Sequence, residues 1–231
     1  MWFWLKRLAL LATAAAMAAA GVVYAVGPHA AAAAAFERYR AAHRAGDAAL
    51  VTRLTAAREI AFFDEQRRHA LHSPREIVAA LSYRQRLTIL SMRAGVRDGA
   101  LPLATLRDAS PTALYQATRR TWPAVGTLEQ MDVLFAVPTG PGSATGYMSL
   151  TKLPGATFQK VILALTWGTA FGFERLSDGT WVVDPTPVLE TSARENEHWA
   201  RQVEPSGNEF LMKFYFKADP QRAAALWQPL T

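Results

Sequence analysis

The hydrophobic rhythm of this chain changes once, near Gly126, and that change limits the fold more than any other feature. Before it, apolar side chains recur at helical spacing. After it, "EQMDVLFAVP", "GYMSLTKL" and "FQKVILALTW" alternate with period two. Helices first and strands second is the grammar of an α+β protein, with N-terminal helices packed on an antiparallel sheet. The composition supplies the material. With 231 residues, 51% hydrophobic and 19% charged, the chain can bury a core and has room for one ordinary domain with additions.

Within the helical half, "FERYRAAHRAGDAALVTRL" keeps Phe36, Tyr39, Leu50 and Leu54 among alanines. Gly46-Asp47 interrupts the run, and Asp47 is placed to cap a helix restarting at Ala48. A second helix is predicted over "REIAFFDEQRRHALH". In "SPREIVAALSYRQRLTILSMRAG", Ser73, Pro74 and Glu76 make a capping-box start to one long helix. At about 100° per residue, Arg75, Arg86 and Arg93 share a narrow stripe. Ile77, Val78, Leu81, Ile89 and Met92 flank it on one side, Tyr83, Leu87 and Leu90 on the other. This helix should be packed from two sides, with a thin basic edge left in water. Ser110-Pro111 starts a further short helix reaching Trp122.

In the strand half, "TGPGSAT" and Pro154-Gly155 read as connections. Gly168 should break the run from Phe158 to Leu176, because strands rarely exceed ~10 residues. The sharpest turn signal is "FERLSDGTW". A two-residue Asp178-Gly179 loop would put Trp181 on the face of Glu174 and Leu176. A three-residue Ser177-Asp178-Gly179 loop, with Gly179 in the left-handed region, aligns Phe171, Phe173, Arg175, Trp181 and Val183. A slip of one residue moves every side chain across the sheet, so the cleaner apolar face predicts the three-residue loop. Beyond residue 187, "SARENEHWARQV" reads as a charged helix. "NEFLMKFYF" reads as a strand with Phe210, Met212, Phe214 and Phe216 on one face, able to add to a sheet edge or meet a partner. A last short helix ends near Trp227.

At the other end, Lys6 and Arg7 precede an uncharged run from Leu8 to Gly27, close to the ~20 residues that span a bilayer. The positive-inside tendency puts the chain beyond Gly27 outside the cytoplasm, and Trp2 and Trp4 suit the headgroup zone. Val23-Tyr24-Ala25 also fits a signal-peptide cleavage site. The run exceeds the usual length of a cleaved signal's apolar stretch, which favours an uncleaved anchor. Cleavage near Ala25, or burial of the run as a helix of the domain, are the alternatives. Arginine well in excess of lysine, with abundant alanine, has the character of a GC-rich bacterial genome. The expected location is thus the bacterial inner membrane, held through residues 8–27, with the domain in the periplasm. The net charge of +6 is mild and scattered, which argues against a nucleic-acid partner. The absence of cysteine removes disulfides, thiolate metal sites, cysteine nucleophiles and lipid attachment through an N-terminal cysteine.

Two stretches, "FERYRAAHRAGDAALVTRL" and "FGFERLSDGTWVVDPTP", carry a resemblance. An aromatic helix followed by Gly-Asp and leucines, and a closing strand, Asp-Gly, strand-with-Trp hairpin, are similar to the NTF2-like (SnoaL-like, cystatin-like cone) superfamily. In particular the chain resembles its small exported bacterial domains of unknown function. The likeness covers roughly residues 36–187, within a domain expected over 28–187, and leaves the helix at 110–122 and the extension 188–231 as additions. It implies a curved antiparallel sheet that, with the helices, encloses a pocket. Together with the N-terminal segment and the lack of a catalytic constellation, it makes the expected function that of a non-catalytic envelope module binding a small apolar ligand or a protein. A scaffold subunit similar to VirB8-like secretion components is the alternative, and an isomerase or dehydratase acting on a hydrophobic molecule a further one.

The pocket candidates are the aromatics Phe171, Phe173, Trp181, Trp167, Tyr83 and Tyr115. Such a face is a core, a ligand pocket or a catalytic pocket. Among polar residues, Asp64, Glu65, His69, His72, Tyr83, Tyr115 and Asp132 are the candidates for acid–base work, and none sits in a motif that assigns it a role. Glu65, His69 and His72 share a helix face, a spacing that surface pairing explains as well as zinc does. "TGPGSATG" lacks the lysine and the helix start of a phosphate loop, and Ser149 and Ser177 lack a nucleophile elbow. No catalytic residue, metal or cofactor is expected.

Overall fold

A computed structural model describes residues 28–121, 128, 130–150, 170–204 and 207–230. It is α+β. The N-terminal run, Trp167, Gly168, Pro154-Gly155 and the predicted strand at 158–167 lie outside the described residues. No helix among the described residues is long and apolar enough to cross a membrane.

Helix α1 (Pro28–Arg44) ends at Gly46, and Asp47 accepts the amide of Leu50 at 2.9 Å to start α2 (Ala48–Arg53). Helix α3 (Ala57–His72) follows. The single long helix expected from Ser73 is two helices, α4 (Arg75–Ala80) and α5 (Tyr83–Arg97). Ser73 makes no cap. The capping box is formed instead by Ser82 with Gln85, which starts α5. Helix α6 (Leu103–Asp108), which no capping signal announces, and α7 (Pro111–Thr121) lead to the sheet.

Strands β1 (Met131–Gly140), β2 (Ser143–Leu150), β3 (Ala170–Arg175) and β4 (Trp181–Asp184) form an antiparallel meander in the order β1-β2-β3-β4. The expected "TGPGSAT" loop shrinks to Pro141-Gly142, since Gly140 already pairs with Ser143. A bulge at Leu134 shifts the inward face of β1 from Val133 to Ala136, opposite Met148 and Gly146 respectively. The β3–β4 hairpin has the predicted three-residue loop. Arg175 pairs with Trp181 and Phe173 with Val183, Leu176 accepts from and donates within the turn, and Gly179 has φ +85°. Residues 54–56 cover the outer edge of β4 through Ala56 N–H to Val183 O (2.8 Å) and Val183 N–H to Leu54 O (2.7 Å).

Two apolar clusters result. In the first, the Ala32, Ala35, Phe36 and Tyr39 stripe of α1 lies on the inward face of the sheet, with the Phe36 and Phe171 rings edge to face at 5.3 Å. Phe173 lies so close over Gly146 that a Cβ there would run into its ring. The second cluster is helical and includes the C-terminal segment: α8 (Thr186–Val203), α9 (Gly207–Phe210), a π-helical turn (Leu211–Tyr215) and α10 (Pro220–Trp227). The predicted strand over 208–216 is therefore helical. Leu211 and Met212, adjacent in sequence, are both buried, and Phe210 stacks on Phe214 one turn away at 5.0 Å. Helical packing against α8 decides the conformation where alternating aromatics suggested a strand. The boundary expected at 187/188 falls inside α8, and Ala200, Leu211, Leu226 and Trp227 join the same core as Ile89 and Met92.

The basic stripe is also corrected. Arg86 is buried and Arg93 is 0% exposed. Arg93 donates to the carbonyls of Ala70 (3.0 Å), His69 (2.9 Å) and Ser73 (2.5 Å) at the end of α3, and to Trp227 (2.8 Å) and Leu226 (3.3 Å) at the end of α10. A cation is favoured where helix carbonyls end unpaired, which is the physical reason the stripe is covered. Burial, then the nearby Arg97, lowers its pKa to about 10, so it stays charged at neutral pH.

A cleft on the helical side

The helical core opens at a cleft of about 350 Å³ between α3, α5, α7 and α8, with Tyr215 of the π-helical turn at its edge. Its centre is built from helix starts. Glu59, in the first turn of α3, is 1% exposed. It is bonded by Arg84, in the first turn of α5, and by the Thr186 hydroxyl, at the start of α8, at 3.0 Å. Side chains from the first turns of three helices thus meet at one carboxylate. Arg84 is also stacked over Phe62 at 3.9 Å, with Glu190 at 3.7 Å on the solvent side.

Phe63, Leu87, Leu189 and Ala193 supply apolar wall; Thr88, Ser91, Ser192 and Asn196 supply hydroxyls and an amide. Arg119, from the last turn of α7, completes the lining. Its guanidinium lies 5.0 Å from the Phe63 ring centre and 5.1 Å from that of Tyr115, and its Nε is buried without a hydrogen-bond partner. No salt bridge ties it to a carboxylate among the described residues. Behind this wall the two cores meet. Tyr39 of α1 and Tyr115 of α7 share hydrogen bonds with Thr55, and burial first of all raises both phenol pKa values. His43 packs edge-on to Tyr39 at 4.5 Å with Nε2 unpartnered; burial, then Arg119, lowers its pKa to about 4.

The aromatic candidates separate. Phe171 and Phe173 are buried in the sheet-side core, and Trp181 packs on the edge of the same cluster beside Pro138 and Arg175. Tyr83 lines the cleft, and Tyr115 stacks against its wall residue Phe63 at 5.1 Å. The polar candidates are dispersed: Asp64 is paired with Arg67, Asp132 with Arg40 at 3.2 Å, and His69 with the Ser73 hydroxyl at 2.9 Å. Among the described residues no group of three or more His, Asp or Glu is placed to hold a metal ion. Sequence reasoning missed Glu59, Arg84 and Arg119. The available signals were an acid followed directly by the apolar run Ile60-Ala61-Phe62-Phe63, and Tyr115 with Arg119 one helical turn apart.

Fold and site define an α+β protein with a dry sheet-side core and a polar cleft among its helices. Compared with family models, curated proteins and solved structures, the chain matches none.

Proposed function

We propose that the chain is a non-catalytic binding module of the cell envelope, an NTF2-like cone held at the inner membrane through residues 8–27, whose ligand site is the cleft on the helical side. The observation that carries the reading is the cleft itself, where apolar walls from Phe63, Leu87 and Leu189 meet polar groups from three helices. The sheet's inward face is not needed for ligand, being filled by Phe36, Phe171 and Phe173. Glu59, the buried carboxylate of the cleft, is engaged by Arg84 and Thr186, which supports positioning rather than proton transfer. Native mass spectrometry of the full chain released from lipid nanodiscs tests this. A stoichiometric small molecule lost on Leu189→Trp is the expected outcome; ligand retained by that variant, or turnover of a substrate lost on Glu59→Gln, would overturn it.

A scaffold role similar to VirB8-like components has one observation in its favour. Trp199 (63% exposed), Val203, Phe214 and Tyr215 all leave apolar surface open on the C-terminal segment. Crosslinking in intact envelopes decides between the two: a regular oligomer lost on Trp199→Glu supports the scaffold, and a monomer removes it.

A further inference from the structure

We infer that the cleft selects a small organic monocarboxylate, its carboxylate held by Arg119 and its ring-sized apolar body lying against Phe63, Leu87 and Leu189. The inference rests on the cleft being the binding site and adds the chemistry of the ligand.

The charges in the cleft carry the argument. Glu59 and Arg84 satisfy one another, and Thr186 takes a further bond to the same carboxylate. Arg119 is left over. Arg119 is half-buried, so its charge is partly shielded from water and gains from an anion placed beside it. Here aromatic rings flank the guanidinium at 5.0 and 5.1 Å on the wall of the cleft, and no carboxylate among the described residues forms a salt bridge with it. A guanidinium beside aromatic rings can still bind a carboxylate through two N–H groups, the geometry in which arginine holds two oxygens at once. With Glu59 cancelled by Arg84, the residual charge of the cleft is that of one guanidinium, which matches a monoanion. Ser91, on the facing helix α5, adds a hydroxyl to the lining.

The test measures binding of 3-phenylpropanoate and of 3-phenylpropan-1-ol to the full chain in zwitterionic nanodiscs by isothermal titration, with empty nanodiscs as reference. The two compounds share shape and differ in charge. The acid should bind at least tenfold more tightly than the alcohol. Arg119→Met, which keeps the stacked stem, should erase that preference, and Arg119→Lys should keep part of it. Equal binding of the two compounds to the native chain, or an acid preference surviving Arg119→Met, overturns the inference while leaving the cleft as a site. Binding of neither compound removes both. Leu189→Trp narrows the cleft without touching Arg119 and should weaken both compounds; unchanged acid binding there would place the acid elsewhere and overturn the inference. The comparison of the two compounds on the native chain stands even if the Arg119→Met variant fails to fold.

Discussion

The two cores of this molecule solve burial in opposite ways. On the sheet side the space between α1 and the meander is filled by apolar side chains, Phe36, Phe171, Phe173 and Val183 at close to zero exposure, and the buried His43 and Asp184 stand at the ends of α1 and β4. On the helical side, Glu59, Arg84, Arg86 and Arg93 are all buried, each bonded to a partner on another element. A sheet presents a continuous apolar face to one helix and needs no polar joint. Several helices meeting in one core leave many ends, and every end exposes backbone groups that a charge can satisfy. The cleft occurs where those ends converge, which is why the candidate site belongs to the second core.

Deleting an aromatic from the dry core should be the largest effect. Phe173→Ala removes a ring 1% exposed and should cost about 3–5 kcal/mol in urea unfolding while leaving binding in the cleft unchanged. A small cost would mean that the sheet side is loosely packed and the contrast false.

Next is acid sensitivity at the junction of the cores. His43, facing Tyr39 and Arg119, has its pKa lowered to about 4 in the folded protein, against an ordinary value of 6.5. Between those values the unfolded chain takes up a proton that the folded state refuses. The stability is therefore full above pH 6.5 and falls as pH drops toward 4, by up to about 3 kcal/mol from this one group. Buried and paired carboxylates add their own acid dependence, so the measurement is the difference between native protein and His43→Gln across pH 4–7. The variant should show the flatter curve; parallel curves would mean His43 is not held neutral.

Smaller again, Glu59→Gln leaves Arg84 with a neutral partner and should cost about 2 kcal/mol. Unlike the change at Phe173, it should also alter binding of a carboxylate, since Arg84 then keeps only the exposed Glu190 at 3.7 Å as an anionic partner. Loss of stability without any change in binding would put Glu59 in the scaffold alone.

The same contrast explains what the sequence reveals. Local signals are dependable where the partner is local: Asp47 caps its own helix, Ser110 accepts the amide of Ala113 at 3.2 Å, and the hairpin register follows from one turn and one apolar face. The Ser82–Gln85 box is equally local, but an apolar pattern running through Leu81 hides it. Long-range partners leave no such trace. Nothing near Arg93 in sequence says that Leu226 and Trp227 will offer it carbonyls, so a helical stripe of arginines reads as solvated. Arg119 likewise looks like a helix-end cation until Phe63, from another helix, is found beside it. Thus the sheet side is largely legible, whereas the cleft depends on contacts between helices far apart in the chain.

Gly179→Ala probes the legible side at its most local point and should have the smallest effect. At φ +85° an alanine is strained by its backbone, not by its neighbours, because the nearest atom to an added Cβ is Arg175 Nη2 at 3.6 Å. The expected cost is about 1 kcal/mol, partly offset by the lower entropy of the unfolded chain. Urea unfolding reads it, and the acid preference of the cleft should be untouched. If the loss were several-fold larger, the hairpin would be doing more than turning the chain: with residues 54–56 paired to β4, distortion at Gly179 would be reaching Thr55 and through it the tyrosines behind the cleft. A loss near 1 kcal/mol with binding intact would show that the two cores, though joined at Thr55, respond independently.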